Sequence, residues 1–353
     1  MVEKQPPIHG RGASENPPNR FETLWFAPEH AQSDPEDPIP NTHFLKDTSH
    51  SIITTNDSPD VGFDASINPY RGCEHGCIYC YARPTHEYLG FSAGLDFETN
   101  ILVKEASPEL LRRELSSKHW RPQVLAISGV TDPYQPVERH LGLTRSCLKV
   151  LVEFRNPVVI ITKNHLVTRD LDLLRELTQH HATAVFLSIT TLDRNLTRIM
   201  EPRASQPNRR LEAIRILSQA GVPTGVMIAP VIPGLTDHEL PSIIKAATEA
   251  GAESASYVIL RLPHAVKNLF EQWLTQHFPE RKEKIMNRIR AIRSGQLNDP
   301  SFKTRMKGEG IFADQVALLF SMACRRAGIS SSRPRLSTAA FKRPLKDQLQ
   351  LFS

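Results

Sequence analysis

Cysteine is scarce, five residues in 353, and too unevenly placed for a disulfide framework. Such usage points to the reducing cytoplasm, where thiols stay available to metals. No stretch approaches the roughly 18–20 apolar residues that a membrane-crossing helix needs, so no membrane partner is expected. Met1 to Arg20 holds no apolar run of the kind a secretory signal carries. Also missing are a G-x-G-x-x-G after the first strand, a Walker A loop, a G-x-S-x-G elbow and an H-E-x-x-H pair. These gaps argue against a dinucleotide fold, a P-loop NTPase, a serine hydrolase and a zinc protease.

What is present has a rhythm. Short, β-branched apolar runs, "VLAISGV" (124–130), "VVIIT" (158–162), "AVFLSIT" (184–190), "TGVMIAPVI" (224–232) and "SYVILRL" (256–262), alternate with amphipathic segments. Runs apolar throughout are expected of parallel strands covered on both faces. The helices between them are punctuated: Ser107-Pro108 reads as an N-cap and first helical position. Thr236 and Glu239 have capping-box spacing, and Gly221 and Gly251 are helix stops. With one more strand just before Cys73, six β/α units follow. The fold class is therefore α/β, a partial (β/α)6 TIM-like barrel over residues 61–278, with a doubly wound open sheet as the other reading. Residues 1–60, with nine prolines and no periodicity, read as an extended or disordered N-terminal arm. Residues 279–353 read as a basic helical C-terminal extension.

Charge separates that extension from the rest. From Arg281 to Ser353 there are 16 Lys and Arg against 5 Asp and Glu, a net of +11; the preceding residues carry 27 against 33, a net of −6. A basic end on an acidic body suits a polyanionic partner, nucleic acid in the first instance. Phe302, Phe312, Phe320 and Phe341 interleave with these charges and read as core rather than base-stacking residues.

The densest chemistry lies in "NPYRGCEHGCIYCYA" (68–82), where Cys73, Cys77 and Cys80 form C-x3-C-x2-C. Three thiols suit neither a disulfide framework nor a four-ligand zinc site. They can hold three irons of a 4Fe-4S cluster and leave the fourth open. A zinc site completed by His75 or His86 is the competing reading, and would make the chain a non-catalytic nucleic-acid-binding protein with a structural metal. Cys147 and Cys324 sit in helical patterns and read as small buried hydrophobes.

The triplet, with Tyr79 before its third cysteine and its place after the first strand, resembles the radical S-adenosylmethionine (SAM) superfamily. Five further stretches, "SGVTDPYQPVE" (128–138), "ITKNHLVTRD" (161–170), "SITTLD" (188–193), "EPRASQPNRRLEAI" (201–214) and "APVIPGLTD" (229–237), extend the likeness over about residues 61–265. They resemble the uncharacterised bacterial group related to spore photoproduct lyase, and "GRGASENPPNRFE" (10–22) matches the uncharacterised group alone.

The resemblance implies a 4Fe-4S cluster on Cys73, Cys77 and Cys80, SAM as second cofactor, and reductive cleavage of SAM to a 5′-deoxyadenosyl radical. It also implies an electron donor such as flavodoxin or ferredoxin. Position by position, Tyr79 would lie against adenine through its backbone, and Thr131 and Asp132 near the methionine moiety. Lys163 would meet the SAM carboxylate, Ser188 the ribose or carboxylate, and Ala229 would flank the adenine. Arg209 and Arg210 read as a solvated helix start, with the SAM carboxylate as the other reading; Glu138 and Glu201 read as ion-pair partners at the core's edge. One departure matters. Spore photoproduct lyases carry a hydrogen-donating cysteine just before the aspartate that Asp132 resembles, and Ser128 to Thr131 contain no thiol. Thymine-dimer reversal is thus not expected, while other nucleic-acid chemistry and peptide modification stay open.

Overall fold

The computed structural model describes residues 6–21, 41–332 and 334–344. Among them ten strands run in chain order as β1 (His43–Lys46), β2 (Ile53–Thr55), β3 (Ala65–Ile67), β4 (Tyr70–Arg71), β5 (Asn100–Val103), β6 (Leu125–Ile127), β7 (Val158–Thr162), β8 (Thr183–Ser188), β9 (Thr224–Val231) and β10 (Ser254–Ile259). Each apolar run singled out above contributes a strand. In the larger sheet β3, β6, β7, β8, β9 and β10 lie side by side in sequence order, all parallel, with β2 antiparallel on β3 at one edge. Beyond β9, β10 pairs among the described residues only through a bridge from Ser254 to Ser330. The sheet is therefore an unclosed barrel of six β/α units.

The strands are apolar because helices cover one face and barrel-interior side chains the other. β8 is buried along its whole length. Over it and its neighbours lie the helices Leu143–Phe154, Pro207–Gln219 and Leu240–Glu249, burying Leu148 and Leu151, Ile214 and Leu217, and Ile243 and Ile244. Each such side chain contributes about 1.5–3 kcal/mol. Cys147 and Cys324 are buried in the same core.

Local punctuation departs from the sequence reading at two helix starts. Ser107 is the first residue of the helix Ser107–Ser116, and its hydroxyl donates back to the Lys104 carbonyl instead of capping. The capping box does not form. Thr236 Oγ1 accepts from the Ile232 amide at 3.0 Å, and Glu239 is drawn away by the Thr191 hydroxyl and the Leu192 amide, at 2.5 and 2.7 Å. Tertiary partners outbid the local pair.

The described parts of the N-terminal arm are extended and tied to the body. β1 pairs parallel with β5, β2 edges the main sheet, and Arg11 to Ser14 are buried without regular structure. Residues 22–40 lie outside the described residues, as do Arg333 and Lys346 of the basic tail. In that tail the helix Ile311–Ala327 packs on the sheet, with Phe320 4.7 Å from Tyr257. Phe341 packs against Phe154 at 6.3 Å. Phe302 and Phe312 depart from the core reading: they are exposed, under Arg305 and Arg288 respectively.

Candidate functional site

The cysteine loop leaves β4 and winds through successive turns, with backbone bonds from Gly76 to Cys73, Cys80 to Cys77 and Arg83 to Cys80. Gly76 has φ +66°, and a Cβ there would come within 2.7 Å of Glu98 Oε2. A Cβ on Gly12 would overlap the Gly76 carbonyl, so the arm crosses the loop at backbone contact. Glu98 fixes that crossing by accepting from the Gly12 and Ala13 amides at 3.0 and 2.9 Å. The same carboxylate pairs with the buried Arg83, 2.5 Å away, whose fork also donates twice to the Cys77 carbonyl.

Cys73 and Cys77 are buried and Cys80 partly so. Burial pushes all three thiols up. Asp132 adds to this at Cys73 and Glu201 at Cys77, whereas Lys163 opposes it at Cys77 and Cys80. Three enclosed thiols become thiolates together only against positive charge such as that of ligated metal. Of the two proposed fourth ligands of a zinc site, His75 has a partner at both nitrogens and His86 at one, its Nδ1 being buried without a partner among the described residues. His75 Nδ1 lies 3.4 Å from Asp132 and its Nε2 3.3 Å from Asn164, and His86 Nε2 is 2.9 Å from the Asn100 carbonyl. Among the described residues no group of three or more His, Cys, Asp or Glu is arranged around one ion. A cluster, which binds each thiolate at a separate iron, does not require that convergence.

Around the loop stand the C-terminal ends of the strands, where a parallel barrel carries its chemistry. Asp132, after β6, accepts from Thr162 Oγ1 and the Lys163 amide, both at 2.7 Å, and its own amide lies beside the Cys73 sulfur. Burial alone would raise its carboxyl, but His75, Thr162 and Lys163 outweigh it and hold it at about 2. The Thr131 hydroxyl is buried without a partner. Lys163, after β7, donates from Nζ to Ser188 Oγ at 3.0 Å and to the Ala229 carbonyl at 3.5 Å, 5.8 Å from the Tyr79 ring. Its ammonium donates to neutral oxygens, and the Glu201 carboxylate, near enough to feel its charge, is not bonded to it, which leaves room for an anion. Three thiols, that ammonium and the orphaned hydroxyl fit a sulfur-ligated cluster beside a cofactor that carries a carboxylate.

All six strand-end and loop positions taken from the resemblance thus gather on one rim. Arg210 corrects the solvated reading: it is fully buried, pairing with Glu201 and donating to the Ser188 carbonyl at 2.8 Å. Arg209 is exposed and pairs with Glu212. Glu201 also receives the Tyr79 and Thr190 hydroxyls. Burial pushes its carboxyl up, but Arg210, Lys163 and Tyr79 together hold it at about 2. Glu138 is likewise buried, with Arg169 and the Tyr70 hydroxyl, at 2.7 and 2.6 Å. His75 enters the sequence reading only as a possible zinc ligand, and Thr162, Arg83 and Glu98 have no role in it. Thr162 lies inside two quoted stretches, while Arg83 and Glu98 carry no local signal.

Comparison with known proteins agrees with this geometry. A model of the radical SAM superfamily matches residues 67–247. An uncharacterised protein of Mycobacterium tuberculosis is 36% identical over 248 residues, covering 69% of this chain and 72% of its own. A radical SAM Nalpha-GlyT isomerase of Pseudomonas phage M6 is 23% identical, covering 48% of this chain and 34% of its own. Among solved structures, a spore photoproduct lyase variant superposes with a TM-score of 0.54 at 15% identity, covering 83% and 82% of the two chains. The lyase complexed with dinucleoside spore photoproduct superposes with a TM-score of 0.51 at 16% identity, covering 80% and 78%. These last two show a shared fold. With half of the chain inside the family model and a cysteine triplet at the first strand end, the chain belongs to the radical SAM superfamily, whose cofactors are a 4Fe-4S cluster and SAM.

Proposed function

We propose that this chain cleaves SAM reductively and acts on a nucleic acid, with Cys73, Cys77 and Cys80 as the cluster ligands. The observation that carries the reading is the Lys163 ammonium, which forms no salt bridge among the described residues, bonded to Ser188 and Ala229 on the next two strand ends and close enough to Cys77 and Cys80 to act on both thiols. When bound, the reduced cluster and SAM supply a 5′-deoxyadenosyl radical that removes a hydrogen atom from the substrate. Lys163 would hold the SAM carboxylate through a charge-assisted bond. Ser188 would bond the ribose or that carboxylate, Thr131 and Asp132 would serve the methionine part, and Ala229 and the Tyr79 backbone would serve the adenine. An external donor such as flavodoxin or ferredoxin supplies the electron, in the reducing cytoplasm that free thiols favour.

Two things support a nucleic acid as substrate: the basic C-terminal extension, with Arg325, Arg326, Arg335, Lys342 and Arg343 exposed, and the fold shared with a lyase solved with a dinucleoside lesion. Dimer reversal is not proposed, because no thiol precedes Asp132. The test is the yield of 5′-deoxyadenosine from reconstituted, reduced protein given single-stranded DNA, RNA or a peptide pool. Stimulation by a nucleic acid, with an altered nucleotide found by mass spectrometry, is expected. Stimulation by peptides alone would overturn the substrate class.

A further inference from the structure

Arg261, two residues past β10, is a partly buried cation that no carboxylate among the described residues meets in a salt bridge. Its Nε is enclosed and without a partner. The contacts of its guanidinium are Met306 Sδ, 3.9 Å from Nη1, and the Tyr81 ring, whose centroid lies 5.4 Å from Cζ. The nearby carboxylates are taken. Asp60 receives Arg305 Nε at 2.6 Å and the Lys303 amide at 2.7 Å, and Asp299 receives the Thr304 hydroxyl and the Ser301 amide at 2.5 and 2.8 Å. Arg293 spends its fork on the Ile259, Leu260 and Thr304 carbonyls. Burial first, and then the charge of Arg305, depress the Arg261 pKa, with Tyr81, Asp60 and Asp299 only partly offsetting them. A guanidinium drawn out of water without a counter-ion is unfavourable unless a ligand supplies one.

Its position gives that ligand an address. Tyr81 follows Cys80, and its hydroxyl donates to the Gly129 carbonyl at 2.5 Å, beyond the end of β6. Contact with Tyr81 therefore places Arg261 on the rim that holds the cysteine loop, across the opening between the first and last strands. We propose that Arg261 seats a phosphate of the substrate at this rim, with the adjoining Tyr81 ring as the platform for a base. A planar guanidinium matches two phosphate oxygens at once. Arg261 with Arg293 and Arg305 outnumbers Asp60 and Asp299, so the cluster keeps a net positive charge, and Tyr81 is 50% exposed, leaving aromatic surface on which a base can stack. A phosphate beside an aromatic face is the pairing a nucleotide offers. The inference rests on the nucleic-acid reading of the site and names two residues that execute it.

The experiment measures binding of a labelled oligothymidylate and of a polyglutamate peptide to the full chain across a salt series, by fluorescence anisotropy. Arg261→Gln, Arg261→Lys and, on the helix Leu171–Thr178 away from the tail, the exposed Arg175→Gln are compared after thermal melts confirm cooperative folding. Arg261→Gln is expected to weaken oligothymidylate binding at least tenfold and to lower the slope of log affinity against log salt by about one. Arg261→Lys keeps the charge without the fork and recovers only part; Arg175→Gln changes affinity less than twofold. Unchanged affinity and slope in a folded Arg261→Gln protein would overturn the proposal. A tenfold loss for polyglutamate alone would overturn the phosphate assignment. SAM cleavage is read separately, as 5′-deoxyadenosine from the wild-type protein. Its absence would sink the radical reading while leaving the binding result to stand.

Discussion

The Lys163 ammonium donates to the Ser188 hydroxyl at 3.0 Å, and Ser188 donates onward to the Ala229 carbonyl at 3.1 Å, so three consecutive strand ends are joined through one cation. If that cation holds the SAM carboxylate, Lys163→Ala weakens SAM binding by on the order of 1.5–3 kcal/mol, the range for a bond to a charged group. Ser188→Ala costs less, about 0.5–1.5 kcal/mol. Calorimetric titration of the reconstituted protein decides. An unchanged dissociation constant for Lys163→Ala removes Lys163 from the site.

The crossing of Gly12 over Gly76 predicts that the arm is part of the cluster housing. Gly12→Ala forces a methyl into the Gly76 carbonyl and strains the bonds from Gly12 and Ala13 to Glu98. The expected outcome is a loss of stability of about 1–3 kcal/mol, as for overpacking, with a lower iron content after reconstitution. Denaturation midpoint and iron assay together check it. Wild-type values for both would show that the crossing is slack.

Glu201 and Arg210 are both buried and paired, so breaking the pair leaves a charge without its partner. Glu201→Gln is expected to destabilise by about 3–5 kcal/mol. The neighbouring Arg209→Gln, at an exposed pair, stays within about 0.5 kcal/mol of wild type. Equal effects of the two substitutions in urea denaturation would contradict the difference in burial.

His86 predicts a pH dependence. Burial, only partly offset by the Asn100 carbonyl, pushes its imidazole down to about 4. The unfolded chain takes up a proton near pH 6.5 and the folded protein does not until near 4. The contribution of this group to stability is therefore complete above about pH 6.5 and lost as pH falls toward 4, roughly 3 kcal/mol in all. In cluster-free protein, His86→Phe, which suits a ring packed against Phe91 and Phe97, should flatten the profile over that window. A profile as steep as wild type would assign the effect to other groups.

The strands were legible because they are short, β-branched and covered on both faces: "VVIIT" is β7 residue for residue. The cysteine triplet was legible as a motif because its three thiols are close in sequence and share one loop. What escaped is held together across distance. Arg83 and Glu98 meet over the cysteine loop with no local pattern to announce them, and Gly12 matters only because Gly76 lies beneath it. Arg210 looked like a solvated helix start because helical spacing cannot tell which residue turns inward toward Glu201. The capping box failed for the same reason, since Glu239 found Thr191 and Leu192 instead.

The central claim is that Cys73, Cys77 and Cys80 carry the cluster that cleaves SAM. The most direct measurement is 5′-deoxyadenosine released from SAM by anaerobically reconstituted, reduced protein, read beside its iron content. The wild-type protein and the Cys147→Ala and Cys324→Ala variants should bind iron and release the nucleoside, because both of those thiols only fill the core. Cys73→Ala, Cys77→Ala and Cys80→Ala should each lose the release, since one iron loses its protein ligand. Release that survives substitution within the triplet, or none from wild-type protein carrying its full iron complement, would contradict the account.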